Sequence, residues 1–186
     1  MRPLLRLVLL LIAAQCVAPF AQAEGGFVIT RATTTLKDDR YLLNAQVDYD
    51  FSETVLEALD NGVPLTIQIR VQVRPQEAWI WESSLVDLTQ LYLIRYQPLS
   101  EIYQVTQLPH GPRQSFVTRG AAIAALGEIE GLALLKRRLL NPREHYFMHI
   151  KVSLDIEALP LPLRPTAYLT SSWNLSSGWT QWPLEP

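Results

Sequence analysis

Leu65-Thr66-Ile67-Gln68-Ile69-Arg70-Val71-Gln72-Val73-Arg74 alternates apolar and polar residues without a break. Successive side chains of a strand leave opposite faces, so this stretch reads as a strand with five branched apolar side chains on one face. Its other face, with Thr66, Gln68, Arg70, Gln72 and Arg74, is wet. The pattern recurs on both sides. Upstream, Tyr41, Leu43, Ala45, Val47, Tyr49 and Phe51 interleave with Asn44, Gln46, Asp48 and Asp50, with Leu42 as the exception. Downstream, Tyr146, Met148, Ile150, Val152, Leu154 and Ile156 are set against His145, His149, Lys151, Ser153 and Asp155. Less regular strands are expected over 27–36, 88–96, 102–108, 115–118 and 166–169.

Helical signals are few. Ser52 can cap a short helix whose apolar stripe is Val55, Leu56 and Leu59, with Gly62 just past its end. Residues 119–126 are alanine-rich and stop at Gly127, and in 128–140 the spacing of Leu132, Leu135 and Leu139 suits a helix stopped by Asn141-Pro142. Leu159-Pro160-Leu161-Pro162 is extended and cannot lie mid-sheet. Amphipathic strands with polar outer faces pack sheet on sheet. The expected fold is mainly β: a single antiparallel β-sandwich domain over 24–186, immunoglobulin-like in general architecture, with one or two short helices.

Residues 1–23 read as an export signal. Arg2 and Arg6 precede an apolar run over 7–14, and Ala21-Gln22-Ala23 supplies the small-x-small site for cleavage after Ala23. The run is well short of the ~20 residues that span a bilayer, so no membrane span is expected after cleavage. The sole cysteine, Cys16, lies in this segment, which excludes disulfides and thiolate metal sites from the remainder. Export without disulfides fits a bacterial periplasm. Of 16 basic residues the segment holds two, and of 18 acidic residues none, leaving a net charge of −4. Such a surface gives no reason to expect nucleic acid as a partner.

The motifs for chemistry are weak. His145 and His149 on one strand stand about 13 Å apart at ~3.3 Å per residue, too far to share an ion. His110 sits in a turn, Pro109-His110-Gly111-Pro112. Asp48 to Ser52 opens like a calcium loop, but Glu53 and Leu59 occupy the positions that need glycine and glutamate. Asp48 and Asp50 share a strand face at ~6.7 Å, a spacing open to paired-carboxylate hydrolysis. No nucleophile elbow and no phosphate-cradling glycine loop is present, so no cofactor is expected. Trp79 and Trp81 keep the odd phase of the 65–74 strand and are expected in the core. Trp173, Trp179 and Trp182 do not share one period, so at least one is expected to be exposed. Beside Arg95 or Arg164 it would make a protein-binding patch.

Across nearly the whole mature chain, several segments resemble one family in order and spacing. They are Ala58-Leu59-Asp60-Asn61-Gly62-Val63-Pro64-Leu65, Arg95-Tyr96-Gln97-Pro98-Leu99, Tyr103-Gln104-Val105, Gln114-Ser115-Phe116, Ala125-Leu126-Gly127, Leu159 to Arg164, and Ser176-Ser177-Gly178-Trp179 with Trp182. The chain resembles the exported proteobacterial proteins grouped as domain of unknown function 4390. The resemblance implies a periplasmic, sandwich-like domain, encoded beside a membrane sensor kinase. It carries no catalytic or binding residues over, and Gln97 stands where it implies histidine. The expected role is a non-enzymatic periplasmic domain binding another envelope protein, such as a sensor kinase, through a sheet edge or an aromatic patch. The alternatives are a carrier of an apolar ligand between the sheets, suggested by the 48% hydrophobic content, and a hydrolase using Asp48 and Asp50.

Overall fold

The computed structural model describes residues 26–77 and 84–184. The export segment with its cleavage position after Ala23, and the pair Trp79 and Trp81, lie outside the described residues. Alternation becomes strand wherever it is strict. In chain order come β1 (Gly26–Lys37), β2 (Arg40–Asp50), α1 (Glu53–Asp60), β3 (Leu65–Pro75), β4 (Val86–Gln97), β5 (Ile102–Leu108), β6 (Arg113–Phe116), α2 (Arg119–Gly127), β7 (Glu128–Lys136), β8 (Tyr146–Leu154), α3 (Arg164–Leu169) and β9 (Ser176–Pro183). Two antiparallel sheets result, β1-β2-β7 and β6-β5-β4-β3-β8-β9, packed face to face as the expected sandwich.

The core lies between them. Leu65, Ile67, Ile69, Val71 and Val73 of β3 are fully buried, as are Met148, Ile150 and Val152 of β8. From the smaller sheet they meet Phe27, Ile29, Leu43, Val47, Ile129 and Leu132. Two helices close gaps at the margins. Ser52 Oγ accepts the Val55 N–H at 3.4 Å to cap α1, and donates to the Ser172 carbonyl at 2.7 Å, so one hydroxyl caps a helix and ties it to a distant turn. Gly62 ends the helix at φ +84°, a conformation open to glycine. Thr118 Oγ1 caps α2 by accepting the Ala121 N–H at 3.2 Å. The other end of α2 comes so close to β2 that a Cβ on Gly127 would collide with the Val47 carbonyl. Asp60 at the end of α1 accepts from Tyr103 Oη at 2.7 Å and pairs with Arg119 at the start of α2, which links both helices to β5.

Three expectations are corrected. Residues 128–136 form β7, followed by a 3-10 turn over Arg137–Leu139, and not a helix. Register shifts in its pairing with β2 leave Ile129, Leu132 and Leu135 buried, which imitates helical spacing along a strand. Residues 166–169 belong to α3 and not to a strand, because Pro165 in the first turn suits a helix start. Among the described residues three short α-helices stand where one or two were expected, and β9, which no alternation announced, completes the larger sheet.

Replacing Ile69 by Ala removes a fully buried side chain from the centre of this core. It should cost about 2–5 kcal/mol, while Gln68→Ala on the outer face should cost under about 0.5 kcal/mol. Urea unfolding followed by circular dichroism measures both.

Candidate functional site

The residues opposite the core face of the larger sheet form its outer surface. Strand registry aligns them in rows. Thr89 of β4, Arg70 of β3, Lys151 of β8 and Trp179 of β9 make one row. Asp87, Gln72, His149 and Gln181 make the next, and Arg74, Phe147 and Pro183 follow. Arg95 and Arg113 stand on the same face, farther toward β6. Within the described strands this face holds five fixed cations, Arg70, Arg74, Arg95, Arg113 and Lys151, against one carboxylate, Asp87, with Asp155 just past the end of β8. A chain of net negative charge thus gathers positive charge on one surface.

Trp179 is the aromatic centre of this face. It is 46% exposed, and the Arg70 guanidinium carbon lies 5.8 Å from its ring centroid, within cation–π range. Lys151 lies between their strands. Asp87 Oδ2 stands 3.5 Å from Arg70 Nη2 and accepts from Gln72 Nε2 at 2.9 Å. Among the described residues Nε of Arg70 and Nε of Arg74 are buried without a hydrogen-bond partner, while the Arg70 guanidinium is held on Asp87 through Nη2. Burial lowers the His149 pKa below its ordinary 6.5, and the Arg74 charge lowers it further. The imidazole is therefore neutral at pH 7, and the face stays cationic through its arginines and Lys151.

The residues singled out in the sequence do not all meet here. Trp179 and Trp182 fall on opposite faces of β9: Trp182 points inward opposite Met148 and is half-buried, its Nε1 donating to Thr180 Oγ1 at 3.0 Å. Trp173 is buried in the core. Arg164 Nε is engaged by the Leu159 carbonyl at 2.7 Å. Arg95 stands six residues along β4 from Thr89, about 20 Å from the Trp179 row at ~3.3 Å per residue. The cation beside the exposed tryptophan is Arg70, which sequence reasoning missed. Its alternation put it on a wet face, but its neighbour across two strand pairings was not readable.

The remaining candidates are dispersed. Asp48 and Asp50 stand exposed on the outer side of the smaller sheet, His145 lies exposed just before β8, and His110 is exposed in the β5–β6 turn. Gln97 is held by Gln104 Oε1 at 2.6 Å. Among the described residues no group of three or more His, Cys, Asp or Glu is placed to hold a metal, and no helix is long and apolar enough to cross a membrane.

Most sheet edges are blunted. β9 runs alongside β1, β6 has four residues, and β7 carries two register shifts. The family model described as Domain of unknown function (DUF4390) matches residues 24–183. No curated protein and no solved structure matches the chain.

Since the Arg74 charge helps to lower His149, Arg74→Gln should move the His149 pKa up toward 6.5. In the parent protein the protonated imidazole is disfavoured by folding, so stability should fall as pH drops below 6.5 through the lower folded value. The variant should show a smaller fall. Imidazole titration by NMR and melting curves between pH 7 and pH 4 measure the two effects.

Proposed function

The chain belongs to the family of Domain of unknown function (DUF4390), and we propose that it is a non-enzymatic periplasmic domain that binds an acidic segment of another envelope protein. The outer portion of a membrane sensor kinase is the first partner to test. The observation that carries this reading is the half-exposed Trp179 with Arg70 over its ring, set among Lys151 and Arg74 where Asp87 is the one strand carboxylate. Tryptophan and arginine are the residue types that anchor protein interfaces, because each brings a large rigid surface with a polar handle. Fixed cations around the anchor select an acidic partner and speed its approach.

Other features agree with a docking face. Blunted edges at β6 and β7 disfavour recognition by strand addition and leave the sheet surface as the docking route. The core between the sheets is filled by side chains without exposure, which speaks for docking outside it over carriage within it. Asp48 and Asp50 lie on an open strand face, which supports binding over hydrolysis. The periplasmic location rests on the basic, apolar and small-residue pattern of residues 1–23.

A photo-crosslinking residue at Gln181, beside Trp179, should capture an envelope protein in living cells, and the same probe at Thr33 on the smaller sheet should not. Trp179→Ala and Arg70→Ala should each lower the yield at least about tenfold, consistent with loss of an anchor worth ~1.4 kcal/mol or more. Their melting temperatures should stay near the parent's. Binding to the captured protein, once purified, should weaken as salt rises. Equal capture from Thr33, or full capture by both variants, would overturn the reading.

A further inference from the structure

A second feature, independent of the basic face, lies where the two sheets part at the end opposite α1. A cleft of about 370 Å³ opens there, in the size range of small-molecule sites. Its floor is apolar and fixed: Tyr41 is the second residue of β2, Tyr146 opens β8, both are buried, and Leu140 and Leu184 close the sides. The polar groups above this floor converge. Tyr146 Oη accepts the Asn141 N–H at 3.0 Å and donates to Glu144 Oε2 at 2.9 Å. Asn141 Nδ2 donates to Glu144 Oε1 at 2.8 Å. Each carboxylate oxygen is thus held by one neutral donor and keeps a lone pair free. Burial raises the Tyr146 pKa, so its hydroxyl remains a donor.

Arg137 lines the same cleft. Its backbone N–H is taken by the Asp39 carbonyl at 2.9 Å, but its guanidinium makes no ion pair among the described residues. A positioned carboxylate and a guanidinium therefore share one cleft without neutralising each other. Opposite charges left apart over an aromatic and aliphatic floor complement a ligand that carries both charges and an apolar body.

We propose that this cleft binds a small apolar zwitterion of the amino-acid type, with its ammonium on Glu144, its carboxylate on Arg137 and its side chain on Tyr41, Tyr146, Leu140 and Leu184. Glu144 and Arg137 are both exposed residues, so changing either leaves the core intact. In the folded position the ligand would bridge β7, β8 and β9 at their ends and stabilise the native state by mass action.

The probes are L-leucine and L-phenylalanine, with 4-methylpentanoate (no ammonium) and 3-methylbutylamine (no carboxylate) as controls. Titration is followed by NMR shifts of Tyr146 and Leu184 and by thermal melting, to ligand concentrations of about 10 mM. Saturable shifts with at least one amino acid, and about tenfold weaker binding of both controls, are expected. Glu144→Gln should cancel the preference for leucine over 4-methylpentanoate, and Arg137→Gln the preference over 3-methylbutylamine, with both variants keeping the parent's circular dichroism and cooperative melting. No saturable shift with either amino acid, or a control binding as tightly as the amino acid, would overturn the proposal. Retention of both preferences in the two variants would do the same. Crosslinking from Gln181 reports on the basic face alone, so the two readings can fail separately.

Discussion

Everything in this molecule depends on the burial of one side of β3 between two sheets. Leu65, Ile67, Ile69, Val71 and Val73 have no exposure, and β3 is flanked by β4 and β8 in unbroken register. Because the side-chain period of a strand is two, burying the odd residues forces the even ones outward. Arg70 and Arg74 stand on the outer face for that reason alone. A slip of one residue would put two arginines into the core and five branched side chains into water. The hydrophobic requirement that holds the fold together therefore also places the charges that make the outer face distinctive.

The smaller sheet and the helices complete the enclosure. Phe27, Tyr49 and Phe51 pack ring on ring, with centroids 4.8 to 5.5 Å apart, where β1 and β2 approach α1. The Asp60, Tyr103 and Arg119 cluster ties both helices to the larger sheet. Burial and the Asp60 hydrogen bond push the Tyr103 pKa up to about 12, so that cluster keeps its hydroxyl donor across the physiological range. At the far end the sheets part, and there polar side chains replace apolar ones. That is why a cleft forms beside Tyr146 and not between β3 and β8.

Much of the architecture was legible because burial and alternation coincide in β2, β3 and β8, and because Ser52 and Gly62 punctuate α1 as their chemistry dictates. Legibility failed where local irregularity broke the period. In β7 the extra residues at its bulges turn a spacing of two into three, so Leu132 and Leu135, read together with Leu139 of the following turn, pass for a helical stripe. In β9 the kink at Gly178, with φ +66°, precedes tryptophans on opposite faces. The candidate site was readable only in part. Exposure of one C-terminal tryptophan followed from the lack of a common period, but its cationic neighbour is set by the pairings of β3 with β8 and β8 with β9, which only in succession bring Arg70 to Trp179. The cleft escaped notice for the same reason: Tyr41, Arg137, Glu144 and Leu184 converge only after both sheets have formed.

Native-state hydrogen exchange tests the central role of β3 most directly. If the sandwich rests on this strand, its hydrogen-bonded amides and those of β8 exchange only through global opening, at the free energy found by urea unfolding. Exchange of the β3 amides as fast as those of the four-residue edge strand β6 would contradict the account.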